Sequence, residues 1–174
     1  MTTFATPRLF LCPHEPWDGA ALVRELNNFN VSQWTARIPF PYGPADAQGF
    51  LGLCRETSAG VLRLAITRQA ALIGGIGVEA GEIGYWLAEA HWGKGYATEA
   101  AQAVTDHAFE AMGLERVVAR YRLGNEASRR ILLGLGFTEL GEEDELSKAT
   151  GGATRVMKLE LLTAAWAKAV ERRR

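Results

Sequence analysis

Cysteine is scarce in this chain: Cys12 and Cys54 are the two in 174 residues. They stand at no metal-ligand spacing, and nothing supports a disulfide between them. Both read as buried free thiols, one on a strand and one on the apolar side of a helix, which suits a reducing compartment. No apolar run approaches the length needed to cross a bilayer. The opening MTTFATPRLFL carries no signal-peptide pattern, because Pro7 and Arg8 interrupt it. A cytoplasmic protein without a membrane partner is expected. Neither sign of charge is in excess: 19 Lys and Arg against 20 Asp and Glu give a net charge of -1. A global attraction to nucleic acid is therefore not expected. Repeats, low-complexity stretches, a Gly-x-Ser-x-Gly elbow and a reactive-cysteine context are also missing.

What is present is the balance of a globular domain, with 48% hydrophobic and 22% charged residues. The length fits one compact domain over residues 1–174. Leu9 to Cys12 reads as a strand. Pro16 then opens a helix with Leu22, Val23 and Leu26 on one face, ended by Asn27 and Asn28. Trp34 to Pro44 holds three prolines and reads as loop. Pro44 opens a second helix through Ala47, Phe50, Leu51 and Cys54. From Val61 the period becomes two, and turns at Gln69–Ala71 and Ala80–Gly81 divide the stretch to Leu87 into an antiparallel meander. Ala97–Met112 reads as a helix stopped by Gly113, Val117–Tyr121 as a strand, and Asn125–Leu133 as a short helix. Phe137–Gly141 starts a strand, the acidic run Glu142–Glu145 reads as a solvated bend, Thr154–Leu161 as the last strand and Thr163–Val170 as a terminal helix. This order implies a mixed α/β fold, a mixed sheet with helices on both faces.

The most informative segment is EIGYWLAEAHWGKGYATEA, Glu82 to Ala100. A strand runs through a loop bearing Gly93 and Gly95 into a helix. Glycines let the backbone curve, and the helix start adds unpaired N–H donors and a positive dipole end. Together they form a site for phosphate or pyrophosphate. A Walker-type loop would need Ser or Thr after Lys94, and Gly95 stands there instead. A dinucleotide fingerprint fails at Thr98, which takes the third glycine position, and at Glu115, which precedes its strand. Two glycines alone favour a plain strand–helix turn.

The string GYWL…WGKGYATEA resembles the RimJ/RimL-like branch of the GNAT superfamily, although Trp92 stands where the superfamily signature has Gln or Arg. A second stretch, NEASRRILLGLGF, adds to the resemblance through Asn125, Ser128, Gly136 and Phe137. The resemblance covers Leu62 to Leu161 well and the first 60 residues loosely, through Pro39–Tyr42. It implies a mostly antiparallel mixed sheet with splayed strands and acetyl-CoA as co-substrate, with no metal. The residues it places at the coenzyme are Trp86 and Leu87, then Trp92, Gly93, Lys94, Gly95, Tyr96, Ala97 and Thr98, then Asn125 and Ser128. The plain reading of Asn125 is a helix cap, and that of Gly136 and Phe137 is structural. Many superfamily members carry a tyrosine acid on the second-motif helix. Leu132 occupies that position here, and Ser128 is the acid candidate that the branch suggests.

The implied reaction is aminolysis of a thioester. An α-amine with a pKa near ~8 is partly neutral at pH 7, whereas a lysine near ~10.4 is mostly protonated. Glu82, at the start of the strand leading to the glycine loop, is the candidate base, with Glu79 behind it. A solvated carboxylate at a turn is the equal alternative for Glu82. A backbone N–H near Trp86–Leu87 would serve the developing oxyanion. Extended pantetheine would pair with the strand ending at Leu87. His91 reads as a surface histidine and His107 as partly exposed on its helix. Trp34, Phe40 and Tyr42 are candidates to line the acceptor site, although for any one of them packing of the loop onto the core is the favoured reading. The acceptor is a primary amine, either a peptide or protein N-terminus or a small molecule. A non-catalytic acyl-CoA sensor is the rival from another class. A homodimer is common among the relatives that the resemblance implies.

Overall fold

The computed structural model describes residues 2–56 and 58–173, and its sheet grows outward from the period-two stretch of the sequence. Two short strands, β1 (Phe4–Ala5) and β2 (Phe10–Pro13), lead to α1 (Gly19–Leu26), α2 (Phe29–Ser32) and α3 (Pro44–Arg55). The meander follows as β3 (Val61–Arg68), β4 (Ala71–Glu79) and β5 (Glu82–Leu87). After it come α4 (Tyr96–Glu110), β6 (Arg116–Arg122), α5 (Glu126–Gly134), β7 (Thr138–Ser147), β8 (Gly152–Leu162) and α6 (Thr163–Arg173). The strands lie in the order β1-β2-β3-β4-β5-β6-β8-β7 in one sheet. All neighbours are antiparallel except β5 and β6.

Helices cover both faces, as the element order implies. On one face α4 and α5 bury Ala101, Val104, Ala108 and Leu132 against Ile66, Val78, Val117 and Leu159. On the other, α1 and α3 bury Leu22, Leu26, Ala47 and Leu51 against Ala65, Leu72 and Trp86. The main core on the α4 face is the larger, and it anchors the segment that shapes the site. The turns lie where the sequence puts them: Gln69 and Ala70 at φ 50° and 63°, Ala80 and Gly81 at 51° and 77°. Among the described residues, no helix is long and apolar enough to cross a membrane.

Three local readings change. β1 and the one-turn α2 are extra elements, too short to leave a periodic signature. Pro16 opens a 3-10 turn, Pro16–Asp18, and α1 continues from it. The acidic run Glu142–Glu145 is not a solvated bend but the middle of β7, paired to β8 as Glu143↔Val156 and Glu145↔Thr154. Cross-strand charge explains it. Glu142 and Asp144 accept hydrogen bonds from Arg155 at 2.8 and 3.3 Å, while Glu143 turns to the other face and accepts from Arg120.

Candidate active site

β5 and β6 pair at Glu82↔Val118 and Ile83↔Ala119 and then part. Beyond that point β5 keeps its pairing to β4 up to Gly74↔Leu87, and β6 keeps its pairing to β8 up to Arg122↔Val156. The facing edges of the two strands are left open, and their main-chain groups line a cleft of about 1420 Å³. One wall carries Trp86 and Leu87, the other Asn125 and Ser128. An extended chain with amide groups fits such an edge by strand addition.

At one end of the cleft the loop 92–95 feeds α4. Gly93 and Gly95 take φ of 72° and 77°, which a side chain would strain, and Gly95 is the N-cap. The first-turn amides of Tyr96, Ala97 and Thr98 have no intrahelical acceptor and face the loop. The Trp92 indole N–H donates to the Leu87 carbonyl at 2.7 Å, folding the loop back on β5. The Lys94 ammonium donates to the Ala90 carbonyl at 2.8 Å and does not line the cleft. The Tyr96 ring is buried against the core, with the Arg8 guanidinium 4.8 Å from its centre, so what it offers the cleft is backbone. Arg8 also donates to the Lys94 carbonyl at 2.8 Å and to Glu99 at 2.7 Å. His91 borders the cleft half-buried, and burial lowers its pKa. His107 packs its ring edge on Phe4, away from the loop.

In the middle of the cleft stands the start of α5. The Asn125 Oδ1 accepts from the Ser128 N–H at 3.1 Å, so Asn125 is a cap. Ser128 Oγ and the Tyr85 hydroxyl lie 2.9 Å apart. Leu132 is 1% exposed, within the main core. Gly136 at φ 100° makes the exit from α5, and Phe137 is buried behind it.

At the far end four carboxylates converge on arginines. Glu82 accepts from Arg120, which also donates to Glu143. Glu79 is held by Arg37 at 2.7 Å and Arg63 at 3.0 Å, and the Arg37 bond keeps its carboxyl below the usual range. Glu145 differs: among the described residues its nearest cation is Arg120 at 4.0 Å, whose shorter contacts are spent on Glu82 and Glu143. Burial raises the Glu145 carboxyl, and Glu82 and Glu143 add to the shift against the pull of Arg120. Reading residues 142–145 as a bend hid Glu145. The signal that could have found it is the alternation of that run, which sends residues 143 and 145 to one face.

The loop between α2 and α3 crosses this end as a strap. The Lys148 N–H donates to the Ala36 carbonyl at 2.9 Å, Ser147 Oγ to the Thr35 carbonyl at 3.3 Å, and Arg122 to the Gln33 carbonyl at 2.6 Å. Trp34 lines the cleft from this strap, half-buried. Tyr42 is 4% exposed in the second core, where burial pushes its hydroxyl up to about 12. Phe40 packs on Phe29 with ring centres 5.3 Å apart and does not line the cleft. Of the three aromatics proposed from sequence, Trp34 and Tyr42 border the cavity, and Phe40 stands outside it.

Comparison with known proteins follows the same outline. Residues 8–138, more than half of the chain, match the family described as the Acetyltransferase (GNAT) domain. The chain is 38% identical over 81 residues to the uncharacterized N-acetyltransferase p20 of Bacillus licheniformis, covering 47% of this chain and 46% of that protein. It spans about half the length of the curated relatives it matches first. RimJ of Mycobacterium smegmatis in complex with CoA-disulfide superposes with a TM-score of 0.78 at 22% identity, over 99% of this chain and 94% of that one. Spermidine N-acetyltransferase from Vibrio cholerae, in complex with CoA and spermine, gives 0.77 at 21% identity, over 92% and 98%. At such identities the likeness is one of fold.

Proposed function

Because the chain belongs to the GNAT acetyltransferase domain family, we propose that it is a cytoplasmic N-acetyltransferase of the RimJ/RimL-like branch. It takes an acetyl group from acetyl-CoA to a primary amine, with peptide or protein N-termini as the first acceptor class and small amines as the alternative. The observation that carries this is the parting of β5 and β6 directly beside the glycine loop. Acetyl-CoA supplies an acyl group already activated as a thioester. The first-turn amides of α4 grip its diphosphate, and the open edge at Trp86–Leu87 pairs with its extended arm. A backbone N–H of that edge stabilises the charge that develops on the acyl oxygen.

Within the acidic cluster the proton acceptor is Glu145. The Glu82 carboxylate is already engaged by the Arg120 guanidinium. Glu145 has no short partner among the described residues and a raised pKa, so it is the better group to take a proton from the attacking nitrogen. Ser128 shares its hydroxyl proton with the departing thiolate, a far weaker base than an alkoxide. Trp34 and the strap residues 33–36 frame the acceptor.

Free-thiol release from acetyl-CoA in the presence of N-terminal peptides and of spermidine tests this function. Release that depends on one acceptor class establishes both activity and class. Tight CoA binding without release from any acceptor would instead leave a sensor module.

A further inference from the structure

Tyr85 and Ser128 meet hydroxyl to hydroxyl at 2.9 Å although 43 residues separate them. β5 directs Tyr85 toward the α4 face, where its ring packs against the main core. Ser128 stands on the first turn of α5, its backbone N–H already taken by Asn125. A serine hydroxyl has one proton, two acceptor sites and a free rotor, so its aim depends on its partners. Asn125 fixes the backbone of residue 128 and leaves that rotor unset.

Resting on the proposed transferase activity, we propose that Tyr85 is a positioning residue for Ser128: its phenol donates to Ser128 Oγ and so points the serine proton into the cleft, toward the sulfur of the coenzyme. Burial pushes the Tyr85 hydroxyl up to about 12. It therefore stays protonated, and a donor, through the range near ~8.5 in which a thiol ionises. α5 carries no tyrosine of its own, and the position facing the core is Leu132. The aromatic hydroxyl arrives from the sheet, acting through the serine.

The test is calorimetric binding of CoA and of desulfo-CoA at about pH 10.5, about two units above the ~8.5 of a cysteine thiol, so that the coenzyme's alkyl thiol is ionised. It compares the wild-type protein, Tyr85→Phe, Ser128→Ala and the double variant. The wild type is expected to prefer CoA over desulfo-CoA by about tenfold, the worth of one hydrogen bond to a charged group. Tyr85→Phe loses most of that preference while binding desulfo-CoA as the wild type does, Ser128→Ala loses the preference as well, and the double variant loses no more. Tyr85→Phe with the preference intact, or with a loss that adds in full to that of Ser128→Ala, overturns the inference. Weakened desulfo-CoA binding in Tyr85→Phe also overturns it, since Tyr85 would then shape the cleft and not aim the serine. Failure of the wild type to bind either ligand overturns the transferase function itself.

Discussion

The guanidinium of Arg8 holds the carbonyl oxygen of Lys94 at 2.8 Å, joining the turn before β2 to the loop before α4. The same side chain bonds Glu99 on the first turn of α4 and lies over Tyr96. A peptide whose carbonyl is held one way presents its N–H the other way, so Arg8 sets the aim of the amide that follows Lys94.

Arg8→Ala should therefore weaken acetyl-CoA binding by about tenfold, the worth of a charge-assisted bond. It should leave turnover of S-acetylpantetheine, which lacks the diphosphate, unchanged. The comparison of KM for the two donors is the measurement. An equal rise for both would assign Arg8 to general stability.

The pH profile should separate the two carboxylates. A base works deprotonated, so the rate climbs as pH rises through its pKa. The raised pKa of Glu145 places that limb above the ~4.3 of an ordinary glutamate. Glu145→Gln should remove the limb and lower kcat by about a hundredfold. Glu82→Gln should keep the limb, because its partner Arg120 retains Glu143. A limb that survives in Glu145→Gln and disappears in Glu82→Gln would reverse the two roles.

Gly95 should be the less tolerant of the two loop glycines. Both have left-handed φ, so alanine at either costs about 1 kcal/mol or slightly more. A Cβ on Gly95 would also come within 3.2 Å of the Arg8 Nη2, whereas one on Gly93 meets open space. Thermal unfolding should fall by about 2–4 °C for Gly93→Ala and further for Gly95→Ala. Equal shifts would mean that Arg8 gives way freely.

The legible parts of the sequence were those with a local signature. The period-two meander, its two-residue turns and the glycine loop follow from neighbouring residues, and their positions agree with the structure to within a residue or two. The Asn125 cap was legible for the same reason. The meeting of Tyr85 with Ser128 was not, because it depends on how far β5 parts from β6. Nor was the strand character of residues 142–145: their partners Arg120 and Arg155 lie on other strands, and polarity alone suggested solvent. Glu82 stood out by its place at a strand start, and the cation that occupies it comes from β6, 38 residues away.

The two paired positions between β5 and β6 leave the molecule with a seam down its middle. Residues before it and after it form two plates, each stitched internally by its own full ladders. A ligand lying in the seam would supply the missing stitches, so its binding should couple the plates and slow amide exchange on both, including strands it never touches.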